Sequence, residues 1–433
     1  MSRQTFIITI IILVSLIIGG LIFYFFFYKT PETGTPKVSI GTLFPFGQNS
    51  NNNIDTGENP NQNIENNNEN GENPEAPIQD LRILWDKPVV ASTSFNRIET
   101  IETTIMGADG VTPQILKTEV TKTVIRFIER SNGHIHEIYS DSANVVDVTN
   151  TTIPRIQEAY FANNGSNVIL RYLGTNGRSI ETYNASIGDL KNQYGLFDIT
   201  GYYLEKDISE IAISPSGEKM FYLYPFGDAT IGIYDNIAGT SKKQVLSSTF
   251  SEWLPQFANE TEVVLTTKAS GYATGYSYIL NTGEPNVLKK ILGDMTALTT
   301  EPVAGGDYII FSRTRGTTPT MFTYNRESRA EESLGAIGLP SKCVWSETNQ
   351  SAFCAIPKSM PTGVYPDDWY QGKVFFTDSI WQISPGTNTS YLISDLTKES
   401  GVQIDAVNLG VSVDGEYLHF TNKRDGALWG LKL

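Results

Sequence analysis

The sequence predicts an all-β protein, a seven-bladed β-propeller closed by an N-terminal strand and preceded by one transmembrane helix and a disordered linker. Three observations support this prediction. Residues 6–28 contain no charge, a segment rich in Asn and Glu follows them, and a strand–turn–strand unit recurs from residue 78 to the end. The expected organisation is therefore a head (1–5), a membrane anchor (6–28), a linker (29–77) and a propeller domain (78–433).

The uncharged stretch Phe6–Tyr28 is long enough to cross a lipid bilayer as a helix, since 23 residues extend roughly 34 Å at about 1.5 Å per residue. A cleaved signal peptide is the alternative, and it fits poorly because no small-x-small cleavage site follows. Arg3 on one side and Lys29 and Lys37 on the other nearly balance the positive-inside count. A short head stays most simply in the cytoplasm, so we expect an extracytoplasmic propeller domain at the cell membrane of a bacterium.

The segment between Gln48 and Ala76 has six acidic residues, no Lys or Arg and almost no apolar side chains. Such a composition cannot bury enough apolar surface to fold, so we expect a flexible spacer rather than an aggregation-prone Asn-rich tract. The net charge of the whole chain is −15. This balance argues against nucleic acid as a partner, because affinity for nucleic acid comes mainly from Lys and Arg on phosphates.

The repeated unit is clearest at Ile211–Tyr224, "IAISPSGEKMFYLY", which predicts a short strand, a turn at Ser216-Gly217 and a second strand. A third, often aromatic strand follows each copy, and turns rich in Gly, Asn, Asp and Ser are typical of tight hairpins. Consecutive units of three or four short strands predict propeller blades. A two-sheet sandwich built from all of these strands would be unusually large. First strands are predicted to begin near Val89, Arg155, Ser209, Trp253, Met295, Ser341 and Asp405.

The last unit, "VSVDGEYLHFTNKRDGALWGLKL", is one strand short. One spare strand, Leu81–Trp85 ("LRILW"), precedes the first unit. We predict that this strand pairs beside "ALWGLKL" and closes the ring, because closure leaves no exposed sheet edge at the join.

The stretches "AISPSGEKMFYLY" and "VSVDGEYLHFTNKRDGALWGL" resemble the WD-like repeats of bacterial TolB-type propellers and of the propeller domain in prolyl-oligopeptidase-family enzymes. The whole layout resembles single-pass, membrane-anchored propeller proteins of bacterial cell envelopes. The resemblance implies binding or scaffolding. It implies no peptidase activity, because no room for a hydrolase domain follows the last blade.

The sequence contains none of the motifs GxSxG, GxxxxGK[ST], GxGxxG and HExxH. We therefore predict no catalytic residues and no cofactor. His134 and His136 are spaced to lie on one face of a strand and could offer two metal ligands. Without a third His or a nearby Cys we favour ordinary strand residues, and we predict no metal site.

The two cysteines, Cys343 and Cys354, lie symmetrically about the turn Glu347–Gln350 in "KCVWSETNQSAFCAI". This placement makes them directly opposed across an antiparallel pair, within the distance that a disulfide spans. An oxidising compartment outside the membrane would preserve the bridge, so we predict a disulfide in preference to two buried free thiols.

Two inserts interrupt the repeats. "GVYPDDWYQG" lies in the sixth unit, where Asp367, Asp368, Trp369 and Tyr370 form a candidate partner-binding loop with aromatic anchors and an acidic rim. Packing of the loop onto its own blade is the alternative. The insert at residues 97–121 is polar and is predicted to project from the first blade as a hairpin.

The function predicted from these features is that of a membrane-tethered protein-interaction or scaffolding module of the cell envelope, with an unidentified envelope protein as partner. A glycan-binding or glycan-hydrolysing propeller is one alternative, and a structural spacer is another. Fold alone does not choose among them, because propellers have many unrelated functions.

Overall fold

The structure is a computed structural model that describes residues 80–106 and 113–433. The predicted head, membrane span and linker (1–5, 6–28 and 29–77) lie outside the described residues. Within the described part, no helix combines the length and the apolar character needed to cross a bilayer. The same part contains 28 strands, arranged as seven antiparallel sheets of four.

The sheets follow the chain in order, each forming one blade. Blade 1 consists of β2 (Val89–Met106), β3 (Pro113–Glu129), β4 (Ile135–Tyr139) and β5 (Val145–Asp147). Blade 2 consists of β6 (Ile156–Ala162), β7 (Asn167–Leu173), β8 (Ile180–Lys191) and β9 (Phe197–Tyr203), and blade 3 of β10 (Glu210–Ile213), β11 (Lys219–Phe226), β12 (Ala229–Asn236) and β13 (Lys243–Ser248). Blade 4 consists of β14 (Trp253–Phe257), β15 (Glu262–Thr267), β16 (Thr274–Asn281) and β17 (Leu288–Thr296), and blade 5 of β18 (Thr299–Val303), β19 (Tyr308–Arg315), β20 (Thr318–Asn325) and β21 (Glu331–Ile337).

Blade 6 consists of β22 (Cys343–Ser346), β23 (Ser351–Pro357), β24 (Asp378–Ser384) and β25 (Thr389–Ser394), and blade 7 of β26 (Ala406–Val411), β27 (Tyr417–Asn422), β28 (Leu428–Lys432) and β1 (Leu81–Trp85). Within residues 80–106 and 113–433, two short α-helices lie between strands, α1 (Asp367–Tyr370) and α2 (Leu396–Ser400). Two 3-10 helices, Ala304–Gly306 and Pro340–Lys342, lie there as well. Six of the seven predicted blade starts fall within two residues of an observed first strand. The exception is Met295, which belongs to β17, so the fifth blade begins at Thr299 instead.

The first strand of each blade is its inner strand, and these strands surround the axis of the ring. Strand β2 contacts β6, β10 contacts β14, β22 contacts β26, and β26 contacts β2. The last of these contacts brings the final blade back to the first, so the seven sheets form a closed ring. The prediction of a seven-bladed propeller is confirmed.

Ring closure uses the strand that the sequence predicted. β1 pairs antiparallel with β28, and Leu81 lies opposite Leu431. The backbone N–H of Lys432 donates to the carbonyl of Asp80 at 2.8 Å, which extends the pairing by one bond. Leu81 and Leu84 are buried against neighbouring strands, so β1 contributes apolar packing as well as ladder hydrogen bonds.

The core is divided into layers between adjacent blades. Ile169 of blade 2 packs with Ile211 and Tyr222 of blade 3, and Phe221 of blade 3 packs with Val263 of blade 4. β-Branched and aromatic side chains suit this arrangement because they fill the space between two pleated surfaces. Each blade is therefore stabilised mainly by its two neighbours, which makes the closed ring important for all of them.

The predicted disulfide is present. Cys343 of β22 and Cys354 of β23 are directly paired across the ladder, with Cα atoms 4.0 Å apart, and their sulfur atoms are bonded. The bridge links the inner strand of blade 6 to the strand beside it.

Candidate functional site

The predicted partner-binding loop joins the second and third strands of blade 6, and we call residues 358–377 the blade 6 loop. β23 runs antiparallel to the inner strand β22. The loop that follows β23 therefore lies at the end of the propeller where the inner strands begin. Asp367 in α1 accepts hydrogen bonds from the Oγ of Ser270, at 2.8 Å, and from the backbone N–H of Gly271, at 2.7 Å. Both donors belong to the equivalent connection of blade 4. The loop thus passes blade 5 and fastens to the blade beyond it.

Asp368 stabilises the loop from within. Its Oδ2 accepts from the backbone N–H of Val364 at 2.8 Å, and its Oδ1 accepts from Lys373 Nζ at 3.1 Å. The backbone hydrogen bond and the Lys373 ammonium hold the pKa of Asp368 below its usual range. Both predicted aspartates are therefore engaged in fixing the loop rather than in presenting an acidic rim.

Trp369 is 6% exposed and faces the interior. Its Nε1–H donates to Asp405 Oδ2 at 2.9 Å, and its ring stacks on Phe376 with centroids 5.6 Å apart. Lys423 Nζ lies 3.6 Å from the centroid of the Trp369 ring, and burial lowers the pKa of Lys423 to about 8. The indole anchors the loop to blade 7 instead of offering a surface to a partner.

Beneath the loop lies a buried ionic cluster of Lys342, Asp378 and Asp405, whose side chains are fully buried. Lys342 Nζ is 2.9 Å from Asp378 Oδ2 and also forms an ion pair with Asp405. The N–H of Phe376 donates to Asp405 Oδ2 at 2.9 Å, and the N–H of Ala406 donates to Asp378 Oδ2 at 2.7 Å. Burial raises the pKa of Asp378 to about 6, and the neighbouring Lys342 opposes this rise. The cluster fixes the end of the blade 6 loop to the first strand of blade 7.

Tyr370 differs from the other three predicted residues because its side chain is 46% exposed. It lines a cavity of about 490 Å³ together with Glu210, Lys268 and Ser341. The predicted loop therefore contributes one residue, Tyr370, to a cavity at the end of the propeller where the inner strands begin.

A larger cavity of about 810 Å³ occupies the central channel. Residues of six of the seven inner strands line it, namely β2, β6, β10, β14, β18 and β26. Pro255 and Gln256 of β14 line both this cavity and the smaller one beside Tyr370. The two cavities are therefore adjacent, on either side of these two residues.

Glu301 of β18 is the most strongly perturbed carboxyl group on the channel wall. Its Oε2 accepts from Gln256 Nε2 at 2.7 Å, and Gln256 Oε1 accepts from Thr300 Oγ1 at 3.1 Å. Thr300 is hydrogen-bonded in turn to Thr266, at 2.6 Å. Burial raises the pKa of Glu301 to about 8, so the neutral carboxyl predominates at pH 7. A strongly perturbed carboxyl in a cavity is a candidate binding group.

Two other glutamates of the inner strands have cationic partners. Glu158 forms an ion pair with Arg171, and Glu210 lies 3.1 Å from Lys268 Nζ. Burial raises the pKa of Glu210, and Lys268 opposes this rise. Their charges are therefore compensated within the protein.

The histidines considered as metal ligands have protein partners. His136 is buried, its ring stacks on Trp85 and Phe127, and its Nδ1 lies 2.8 Å from Asp147 Oδ1. His134 Nε2 lies 3.1 Å from Thr152 Oγ1. No group of three or more His, Cys, Asp or Glu side chains suited to a metal occurs in the described part of the chain.

Sequence reasoning did not single out Gln256 and Glu301. Each lies next to a proline in an inner strand, in "WLPQF" and "TTEPV". Proline is tolerated in edge strands, and the inner strand of a blade is an edge strand. A polar side chain next to a proline in a strand, such as Gln256 or Glu301, was therefore the feature of the sequence that indicated a position on the channel wall.

No protein-family model matches the chain, and no curated protein sequence matches it. Many solved structures match at the level of the fold. Three examples are a Vibrio parahaemolyticus oligogalacturonate lyase, an oligogalacturonate lyase in complex with manganese, and TolB from Acinetobacter baumannii.

Each of the three is 9% identical to this chain. The Vibrio lyase match covers 78% of this chain and 98% of the lyase, with a TM-score of 0.46. The manganese-bound lyase match covers 79% and 98%, with a TM-score of 0.48. The TolB match covers 69% and 78%, with a TM-score of 0.39. Similarity at this level concerns the arrangement of the β-sheets alone.

Proposed function

We propose that the protein is a membrane-anchored, extracytoplasmic propeller that binds a protein partner of the cell envelope through an arm of blade 1. The observation that carries the proposal is the paired extension of β2 and β3. We call residues 98–106 and 113–121 the blade 1 ribbon. Met106 is paired with Pro113, and Ile98 is paired with Thr121, well beyond the point where β4 last pairs with β3.

The ribbon has an apolar face. Side chains alternate along a strand and directly paired residues share a face, so Ile101, Ile105, Leu116 and Val120 lie together. Ile101 is 42% exposed and Leu116 is 49% exposed. A two-stranded ribbon is marginally stable by itself, and a contiguous exposed apolar surface is typical of protein-interaction sites.

The opposite face of the ribbon is more polar. On this face, threonines and an ion pair lie between Ile98 and Ile115. In the ion pair, Lys117 Nζ lies 2.8 Å from Glu102 Oε1. Ile98 and Ile115 are themselves 67% and 63% exposed, so both faces carry apolar side chains, and the first face differs from the second by having fewer charged residues. The proposed anchor at residues 6–28 would keep the domain close to other proteins of the envelope.

The test is photocrosslinking in cells that express the full-length protein, with the crosslinking amino acid placed at Thr103, which shares the apolar face with its pair Leu116. The wild-type ribbon should capture a discrete partner. The variant Ile101→Glu/Leu116→Glu should lose capture, because it places two charges in the apolar contact. The matched control, Thr100→Glu/Lys117→Glu, changes adjacent positions on the opposite face and should retain capture. Equal capture by both variants would contradict the proposal.

A further inference from the structure

We propose that the central channel binds a small organic cation with a primary ammonium group, which the carboxylate of Glu301 holds. This inference concerns a different region from the blade 1 ribbon and is independent of the proposed function.

Glu301 differs from the other inner-strand glutamates at the two cavities in having no cationic partner among the described residues. Glu158 and Glu210, the other inner-strand glutamates at the two cavities, each form an ion pair with an Arg or Lys. Within the described residues no Lys, Arg or His lies within ion-pair distance of Glu301, and no donor reaches its Oε1. The Oε1 atom is thus available to a donor that enters the cavity.

The carboxyl group of Glu301 is held in place by a chain of hydrogen bonds. Gln256 donates to its Oε2, Thr300 donates to Gln256, and Thr266 bonds to Thr300, so the chain of hydrogen bonds fixes the orientation of the Gln256 amide. Thr266 and Thr300 are buried, which keeps water from competing for these bonds. A fixed acceptor loses little conformational entropy when a ligand binds.

The side chains that line the cavity suit an organic cation. Tyr160, Phe161 and Phe257 line the same space as Glu301, and aromatic rings attract a nearby ammonium ion while packing against an alkyl chain. The net charge of the chain is −15, which favours the approach of a cation. A metal ion is a poorer fit, because no group of three or more suitable His, Cys, Asp or Glu ligands occurs in the described part.

Binding of a cation here has a measurable proton linkage. Burial keeps the pKa of Glu301 at about 8, with only Gln256 opposing the rise, so no charged group on the neighbouring strands offsets it. The other titratable or charged residues that line this cavity are Arg130, Glu158 and Tyr160, and Glu210, Lys268 and Tyr370 line the adjacent cavity. An ammonium ligand requires the ionised carboxylate and should release the proton, whereas a neutral ligand should not.

The experiment is isothermal titration of the full-length protein with 1,4-diaminobutane at pH 7, in two buffers of different ionisation enthalpy. The expected result is saturable binding accompanied by net release of a proton from Glu301. Butane-1,4-diol, the neutral counterpart of the same length, should not bind. Glu301→Gln should weaken 1,4-diaminobutane binding about tenfold or more, since it removes a charge-assisted hydrogen bond. The control Glu332→Gln, on an exposed outer strand of the same blade, should leave binding unchanged.

Three outcomes would overturn the proposal. The first is the absence of saturable diamine binding to the wild-type protein. The second is equal diamine binding by the wild type and a folded Glu301→Gln variant. The third is binding of butane-1,4-diol or a neutral disaccharide without proton release, which would indicate a site for hydroxylated ligands. The proton release is measured on the wild type, so the test does not depend on the folding of the variant.

Discussion

The blade 6 loop and the blade 1 ribbon are both long inserts in a propeller, but the loop packs against other blades whereas the ribbon extends away from them. The loop folds over one end of the ring, where Trp369 is buried and Asp367 fastens to blade 4. The ribbon projects beyond its blade, with apolar side chains such as Leu116 half exposed. The comparison shows that aromatic residues in a long loop can serve as internal anchors, while an arm without aromatic residues can present the apolar surface.

The difference has a physical origin in the partners that each insert finds. The loop contains an indole N–H and one backbone N–H, that of Phe376, which donate to the buried carboxylate of Asp405. Lys342 in turn forms an ion pair with Asp405. The ribbon has hydrogen bonds between its own two strands, and Ile101 and Leu116 on its apolar face are 42% and 49% exposed. Three predictions test this contrast.

The largest expected effect comes from Lys342→Met. Removal of the ammonium leaves Asp378 and Asp405 buried without their counter-ion, and loss of one partner from a buried ion pair typically costs about 3–5 kcal/mol of unfolding free energy. Urea unfolding monitored by tryptophan fluorescence would measure the change. The control is Lys373→Met, which removes the exposed partner of Asp368 and should cost less than about 1 kcal/mol. Similar unfolding midpoints for the two variants would show that the buried cluster does not stabilise the fold.

The second prediction concerns pH. Burial raises the pKa of Asp378 from 3.8 to about 6. Between those values the folded protein binds more protons than the unfolded chain, so the contribution of Asp378 to stability is complete below pH 4 and declines as the pH rises to 6. Relative to Asp378→Asn, the wild-type protein should lose about 1–3 kcal/mol between pH 4 and pH 7, since one pKa unit corresponds to about 1.4 kcal/mol. Parallel stability curves for the two proteins would contradict this assignment.

The smallest effect is expected in the ribbon. Ile101→Ser and Leu116→Ser should each change the free energy of unfolding by less than about 0.5 kcal/mol, because they alter exposed residues that pack on no other blade. The control is Phe127→Ala, at a fully buried position of β3, the strand that also contains Leu116. This variant should lower the free energy of unfolding by about 3–5 kcal/mol. If either ribbon variant lowered the free energy of unfolding by more than about 1 kcal/mol, the ribbon would pack against the domain as the blade 6 loop does.

The sequence was informative about the fold because the relevant signals are local. Turn residues such as Asp414 and Gly415 mark each hairpin, and Gly415 has the φ of 74° that favours glycine. The missing strand of the last unit and the spare strand at Leu81–Trp85 predicted ring closure, and the opposed cysteines predicted the disulfide. The predicted start of the fifth blade, Met295, lies instead near the end of β17, the outer strand of blade 4, and the fifth blade begins at Thr299.

The candidate site was less predictable because it depends on contacts between distant blades. Lys342, Asp378 and Asp405 are separated by up to 63 residues, and nothing near any of them in sequence reveals that the three side chains meet. The same limit applies to Gln256 and Glu301, whose hydrogen bond joins blades 4 and 5. Hydrophobic periodicity predicts which residues are buried, but it does not predict which buried polar groups are neighbours.

The closure of blade 7 by β1 also has a mechanical consequence. The chain enters the domain at β1, so any tension transmitted along residues 1–79 acts first on a five-residue strand held by β28. Detachment of that strand would leave β28 with an open edge, without breaking any other sheet. If the segment before β1 is a tether, as proposed, a force applied through the tether would act first on the strand that completes the ring.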